Sequence, residues 1–321
     1  MSRRLPAVLT PQIFDRIRDI QENVGRVFYG KPNVVKSLLI ALLSNGHVLI
    51  EDIPGVGKTL VARALARSLN CSFTRIQFTA DLLPSDVIGV TVYEQNRHEF
   101  VFRRGPIFSN VILADEINRT SPRTQSSLLE AMNEYQVSLD GQVYPLPRPF
   151  MVLATQNPHE FEGTYPLPES ELDRFFLRLD IGYPASADEL RILQDFVTMD
   201  SVEKIEPVAT GDEVLEMQAA AARVKVVDAL ARYVLLLVEA SREAPEVDVG
   251  ISPRGSLALY RGAQAKAMVE GRDYVTPDDV KAMFAPICLH RLVCRGSRDR
   301  SPTGPAAIAL REILDTVPVP V

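Results

Sequence analysis

The sequence has little cysteine. Its three cysteines, Cys71, Cys288 and Cys294, show no CxxC spacing and have no histidines arranged with them as in a metal site. This absence excludes a metal centre of that kind and favours a reducing compartment. A long apolar run is also missing near the start, because residues 5–9 are apolar but short and interrupted by Pro6. We therefore expect neither a signal peptide nor a membrane span there. We therefore expect a soluble, cytoplasmic protein.

An excess of positive charge is missing as well. Lysine and arginine total 35 against 41 acidic residues, and the net charge is −6. Nothing in this balance predicts a general attraction to nucleic acid or to an anionic membrane. The chain has 321 residues, 46% of them hydrophobic, which is enough for one large domain or two modest ones. We expect two domains.

Short apolar runs at 47–50, 73–78, 111–114 and 150–155 predict buried strands, and helical patterns lie between them. Strands alternating with helices are typical of a parallel α/β sheet. The first domain is therefore predicted to occupy residues 1–183.

Two insertions and a change of character complete the predicted organisation. Residues 90–103 alternate apolar and polar around Gln95-Asn96-Arg97, and Asp140-Gly141 is a strong hairpin signal. Both segments are predicted to be β-hairpin insertions that project from the sheet. Residues 184–321 read as a helical second domain without comparable strands, with Ser252-Pro253 and Thr276-Pro277 opening two of its helices. A Gly/Pro-rich link is then expected to lead to a docked C-terminal tail.

A glycine-rich loop joins the strand at 47–50 to the next helix. Glycines with free φ let backbone N–H groups turn toward one anion, and a following helix adds its positive end, so Gly55 and Gly57 predict a phosphate-binding loop. Lys58 is expected to reach the β- and γ-phosphates of ATP, and Thr59 to place its hydroxyl on Mg²⁺. Asp52 stands where the usual pattern has its first glycine. The nucleotide-binding segment is predicted to comprise Pro54, Gly55, Val56, Gly57, Lys58, Thr59 and Leu60.

Polar side chains end two of the predicted strands. Asp115 is suited to hold Mg²⁺, and Glu116 is suited to orient or deprotonate an attacking water. Asn157 follows the strand at 150–155 and is expected beside the γ-phosphate, where open α/β sheets bind ligands. It could instead only start the turn at Asn157-Pro158.

The runs 51–59, 114–119, 154–158 and 163–169 resemble the MoxR family of AAA+ ATPases, in which Asp commonly replaces the first loop glycine. This resemblance implies an α/β AAA+ core with a parallel sheet and a smaller all-α lid. It also implies a ring, expected as a hexamer, that hydrolyses ATP to ADP with Mg²⁺. The implied role is chaperone-like and often directed at proteins with a von Willebrand factor A domain.

Further site residues follow from the resemblance alone. Arg174 matches the family's arginine finger, which acts on the ATP of a neighbouring subunit. Arg254 matches the lid arginine called sensor 2, which is expected to touch the γ-phosphate from the helical domain. Arg174 could instead pair with Glu171 on a helix surface, and Arg254 could be a first-turn surface arginine. Tyr29 and Gly30 lie where such domains hold adenine, although an ordinary turn explains them equally well. Four other arginines could replace Arg174 as the finger: Arg103, Arg104, Arg119 and Arg123.

Two other functions remain open at this point. Relatives with a similar insertion include helicases, so a nucleic-acid motor or loader is one alternative. The net charge and the absence of a basic run interleaved with aromatics count against it, and nucleic acid is not an expected partner. The other alternative is a metal-insertion ATPase resembling a magnesium chelatase subunit, which shares the same core.

Overall fold

The computed structural model describes residues 10–96, 98–157, 163–195, 199–297 and 299–320. Arg97 of the first predicted insertion and Pro158 of the predicted Asn-Pro turn lie outside these ranges, as does the apolar stretch 5–9. The helices are α1 (Pro11–Gly25), α2 (Pro32–Leu43), α3 (Lys58–Ser68), α4 (Pro84–Ile88), α5 (Pro122–Glu134), α6 (Glu169–Leu172), α7 (Ser186–Asp195), α8 (Met199–Glu203), α9 (Gly211–Ala221), α10 (Asp228–Glu243), α11 (Pro253–Val269), α12 (Pro277–Cys288) and α13 (Pro305–Thr316). The strands are β1 (Val48–Glu51), β2 (Phe73–Gln77), β3 (Gly89–Glu94), β4 (Glu99–Arg104), β5 (Val111–Asp115), β6 (Gln136–Leu139), β7 (Gln142–Pro145), β8 (Met151–Gln156), β9 (Leu177–Leu179), β10 (Val247–Val249) and β11 (Val293–Cys294).

Five parallel strands form the main sheet in the order β2-β5-β8-β1-β9. The four predicted strands are confirmed. The three inner strands are apolar on both faces because helices cover both sides of the sheet, which is why they read as continuous apolar runs. The edge strand β9 was not predicted, because it has only three residues and Arg178 interrupts its apolar character.

The core divides at the sheet. Val48 and Ile50 of β1 face one cluster, which includes α1, α2, α3 and much of the helical region after α7. Leu49, between them, faces a second cluster built largely with α5. This alternation is the pleat of a strand buried on both faces. Both faces of the sheet are therefore buried, and the ends of its strands are the parts that can contribute to a binding site.

Both insertions are antiparallel hairpins, as predicted. β3 pairs with β4, and β6 pairs with β7 across a turn in which Asp140 and Gly141 have φ values of 52° and 75°. Positive φ at both turn residues is the requirement of a type I′ hairpin. The hairpins contact each other, since the Thr91 hydroxyl donates to the Asp140 carboxylate at 2.7 Å.

The region after α7 is helical, as predicted, and holds no strand comparable to those of the main sheet among its described residues. β10 and β11 form a two-stranded antiparallel ribbon. With three and two residues, these strands are too short to show a periodic pattern. The predicted docked C-terminal tail is confirmed: it forms α13, which buries Leu310 and Ile313 against the core. Within the described part of the chain, no helix is long and apolar enough to cross a membrane.

Candidate nucleotide-binding site

The phosphate loop lies between the end of β1 and the start of α3. Gly55 and Gly57 have φ values of 85° and 91°, which side-chain-bearing residues rarely adopt. A Cβ at position 57 would also lie 3.2 Å from the Phe28 ring. Lys58 is the first residue of α3, so the loop passes directly into a helix N-terminus. This geometry fits an anion held by backbone N–H groups and the positive end of the helix.

A cavity of about 370 Å³ opens beside this loop at the carboxyl ends of β1, β5 and β8, a volume within the range of small-molecule sites. The described residues that line it are Pro54, Gly55, Gly57, Lys58, Thr59, Leu60, Arg75, Asp115, Glu116, Thr155 and Asn157. The structure thus brings together most of the predicted loop, both predicted carboxylates and Asn157. Val56 is the exception in the loop, because it packs against the hydrophobic core instead.

Asp115 is held by two neighbours. Its Oδ1 accepts a hydrogen bond from the Thr155 hydroxyl at 2.6 Å, and its Oδ2 accepts from Arg75 Nη2 at 2.7 Å and from Nε at 3.0 Å. Carboxylate and hydroxyl oxygens are the ligands that Mg²⁺ prefers, and Mg²⁺ commonly takes only one or two protein ligands beside phosphates and waters. Asp115 and Thr59 line the same cavity and fit that pattern. In the described residues, no group of three or more His, Cys, Asp or Glu side chains is placed to hold a metal by itself.

Glu116 has a left-handed backbone with φ 58° and ψ 49°. Its N–H donates to the Thr155 hydroxyl at 2.9 Å, so the same threonine fixes both carboxylate residues. Its Oε2 accepts from Gln77 Nε2 at 2.8 Å and from Arg119 at 3.3 Å. Such an uncommon backbone at a strand end is typical of functional sites, where neighbouring contacts maintain the strain.

Arg75 and Gln77 also belong to the site, and neither was predicted from the sequence. They lie two residues apart on β2, so they share one side of the sheet edge, and Arg75 Nη2 also donates to Gln77 Oε1 at 2.7 Å. Together they connect the carboxylates of Asp115 and Glu116. The period-two spacing of polar residues on the strand beside β5 was the available signal, but it required knowing that β2 and β5 are neighbours.

Tyr29 and Gly30 do not line this cavity. Arg191 of α7 lies over the Tyr29 ring at 4.4 Å, and a Cβ at Gly30 would overlap the Asp188 carboxylate of the same helix. Gly30 has a φ of 74°. In this conformation both residues contact α7, and their predicted adenine role stays a prediction.

Arg174 and Arg254 lie away from the cavity. Arg174 donates to the Leu129 carbonyl at 3.1 Å, and the exposed Arg254 contacts the Asn133 side chain at 3.4 Å, one turn further along α5. The Met132 carbonyl, near this end of α5, is hydrogen-bonded to His47, which directly precedes β1. This end of α5 therefore lies at the amino ends of the strands. The nucleotide cavity is at the opposite, carboxyl ends.

An ion pair between the buried Arg291 and the half-buried Asp173 connects the segments that carry Arg174 and Arg254. Asp173, next to Arg174, accepts from Arg291 at 2.8 Å and from the hydroxyl of Ser252, two residues before Arg254, at 3.1 Å. The Arg291 side chain is 2% exposed and also donates to the carbonyls of Phe175 and Phe176. Burial lowers the pKa of the Arg291 guanidinium, which Asp173 opposes. The segments that carry Arg174 and Arg254 therefore form one assembly.

The sheet, the phosphate loop and the two strand-end carboxylates define a P-loop ATPase followed by a helical lid. Comparison with known proteins agrees: residues 47–177 match the model of the ATPase family associated with various cellular activities (AAA), and residues 239–311 match the AAA lid domain.

Individual relatives narrow the family. Chaperone MoxR1 of Mycobacterium tuberculosis is 42% identical over 92% of this chain and 80% of that protein. Protein YeaC of Bacillus subtilis, described as uncharacterized, is 48% identical over 94% of this chain and 93% of its own length. A crystal structure of a putative ATPase from Cytophaga hutchinsonii is 37% identical, covers 97% of this chain and 96% of that one, and superposes with a TM-score of 0.88. The chain belongs to the MoxR family of AAA+ ATPases.

Proposed function

We propose that this chain hydrolyses ATP with Mg²⁺ as a ring, expected to be a hexamer, and uses the energy for chaperone-like remodelling of a protein partner. One observation carries the proposal: the phosphate loop, Asp115, Glu116 and Asn157 line a single cavity. We place the boundary between the nucleotide-binding domain and the lid near residue 183. The cytoplasm is the proposed location, since all three cysteines are free thiols.

The residues divide the chemistry among them. The loop N–H groups and Lys58 bind the phosphates, while Thr59 and Asp115 would hold Mg²⁺, which neutralises charge on the phosphates when bound. Glu116, oriented by Gln77 and Thr155, accepts the proton of the attacking water or aligns that water. Asn157 would donate a hydrogen bond near the terminal phosphate.

Arg174 and Arg254 would act on the ATP of a neighbouring subunit. Both contact the end of α5 at the amino ends of the strands, so neither is directed at the cavity of its own chain. A ring is built from head-to-tail contacts, in which the surface of one subunit meets a different surface of the next. In such a ring, Arg254 and Arg174 would face the nucleotide cavity of the neighbouring subunit. Charge supplied in trans is a large rate effect in nucleotide hydrolases.

Mixed rings test this assignment. Arg174→Ala keeps its own nucleotide site, and Lys58→Ala keeps its own arginine, so each variant alone is expected to be nearly inactive. In an equal random mixture, about a quarter of the subunit contacts join an intact site to an intact arginine, and about a quarter of the wild-type rate should return. The same mixture with Arg254→Ala tests the second arginine. No recovery in either mixture would contradict action in trans.

The proposed client is another protein. A chaperone-like role for this chain is supported by its similarity to a relative that is named a chaperone. The proposed class of client is a protein with a von Willebrand factor A domain. Glu116→Gln, loaded with ATP, should retain that client, whereas Lys58→Ala should not, because it cannot hold the nucleotide. ATPase stimulation by DNA that weakens steeply with salt would instead favour a nucleic-acid loader.

A further inference from the structure

We infer that Asp52 is a positioning residue that ties the connection between β9 and α7 to the phosphate loop, and that nucleotide binding acts on the helical region through this tie. Asp52 stands where phosphate loops usually have glycine. It is 7% exposed, so its carboxylate is buried beside the loop. The inference rests on the proposed nucleotide site.

The carboxylate bridges two segments that are far apart in sequence. Its Oδ2 accepts from the N–H groups of Ile181 at 2.5 Å and Gly182 at 2.7 Å, and its Oδ1 accepts from Ile53 in its own loop at 2.8 Å. Hydrogen bonds to a charged acceptor are stronger than neutral ones, and a buried carboxylate needs such partners. Glycine at position 52 would leave the two distant N–H groups without this acceptor.

These N–H groups lie where the chain leaves the sheet. β9 pairs with β1 up to Leu179, and residues 180–185 then lead to α7. Gly182 has a φ of 65°, which turns the chain out of the strand direction. The Asp52 carboxylate therefore fixes Ile181 and Gly182, the second and third residues of this connection, next to the edge of the sheet.

The backbone of Asp52 is joined to the nucleotide site. Its carbonyl accepts from Lys58 Nζ at 2.8 Å, and its N–H donates to the Gln156 carbonyl at 3.2 Å, beside Asn157. A bound phosphate would compete for the Lys58 ammonium group. Asp52 thus contacts both Lys58, which is expected to bind the phosphates, and the segment that leads from β9 to α7.

Hydrogen exchange of the full chain tests the tie, with and without Mg²⁺-ADP as the probe. Asp52→Asn keeps the side-chain shape, Asp52→Gly restores the usual loop residue, and the exposed Asp315→Asn is the control. Without nucleotide, the amides of Ile181 and Gly182 should exchange at least about tenfold faster in both variants than in the wild type and the control. Added Mg²⁺-ADP should protect these amides in the wild type and not in the variants. Asp52→Gly should still bind ADP.

Three results would overturn the inference. Wild-type exchange at Ile181 and Gly182 in both variants would show that the tie is absent in solution. Faster exchange with protection by ADP still intact would leave Asp52 a merely structural role. Loss of ADP binding in both variants would mean that Asp52 shapes the phosphate loop alone. A wild-type chain that binds no ADP would instead refute the nucleotide site itself, a failure that the nucleotide-free comparison distinguishes.

Discussion

Acid should destabilise the fold through His47. This side chain is 4% exposed, its Nδ1 accepts the Val152 N–H at 3.0 Å, and its Nε2 lies 3.0 Å from the Met132 carbonyl. An Nδ1 that accepts a hydrogen bond carries no proton, so the ring is neutral and donates through Nε2. Burial lowers the pKa of His47 from 6.5 to about 4. Protonation would cost the Val152 hydrogen bond and place a charge in the core.

The sign and size follow from that pKa difference. Below pH 6.5 His47 is protonated in the unfolded chain, but in the folded chain it stays neutral down to about pH 4. The free energy of unfolding therefore decreases as the pH is lowered from 6.5 to about 4. At about 1.36 kcal/mol per pH unit, the loss attributable to His47 reaches about 3 kcal/mol at pH 4. Above pH 6.5 this residue contributes no slope.

Urea denaturation of the wild type and His47→Gln between pH 7 and pH 4 measures the effect. The variant should be less stable at pH 7 by about 1–3 kcal/mol, because one amide cannot satisfy both buried partners. Its disadvantage should shrink as the pH falls, since it has no imidazole to protonate. A stability difference that stays constant across the range, or a His47 NMR signal that titrates near pH 6.5, would show that burial does not keep His47 neutral in the fold.

Three further predictions concern the site. Gly57→Ala should weaken ATP binding at least about tenfold, because position 57 has a φ of 91°, while Gly271→Ala, at a φ of 80° with open space around it, should lose stability only. Binding of a fluorescent ATP analogue measures the ATP affinity of both glycine variants. Gln77→Ala should lower the hydrolysis rate about tenfold with little change in ATP affinity, because the Glu116 carboxylate loses its 2.8 Å hydrogen bond. Asp173→Asn should lower the free energy of unfolding by about 3–5 kcal/mol, because it leaves the buried guanidinium it pairs with uncompensated, as urea denaturation would show.

Each of these has an outcome that contradicts it. Equal losses of ATP affinity in the two glycine variants would mean that the backbone at position 57 has no special role. A hydrolysis rate unchanged by Gln77→Ala would separate this residue from Glu116. Asp173→Asn should be compared with the exposed Asp315→Asn, and similar stabilities for the two would show that the pair of Asp173 with Arg291 contributes little.

Local patterns predicted the parts of the fold that are set locally. The strand, phosphate loop and helix at 47–69 and the hairpin at Asp140-Gly141 depend on periodicity and φ requirements that few residues determine. The predicted carboxylates at the end of β5, Asp115 and Glu116, line the cavity because parallel strands place their carboxyl ends at the same edge of the sheet.

Tertiary contacts account for what was missed. Arg291 meets Asp173 across 118 positions, and Asp52 meets Ile181 across 129, and no pattern in one sequence links such pairs. The contact of α7 with Tyr29 is also a packing event between separate segments. Asp52 was recognised in the sequence as a mark of the family, while its hydrogen bonds to the β9–α7 connection became visible only in three dimensions.

The catalytic assignment of this cavity is tested by the ATP turnover of three purified proteins: the wild type, Glu116→Gln and the exposed control Glu312→Gln. Mg²⁺ is present throughout, and ATP binding is measured on the same samples. The wild type and the control should hydrolyse ATP at similar rates. Glu116→Gln should bind ATP as well as they do and hydrolyse it at least about a hundredfold more slowly, since it can no longer act as the base. Hydrolysis by Glu116→Gln at the wild-type rate would contradict the assignment of this cavity as the catalytic site.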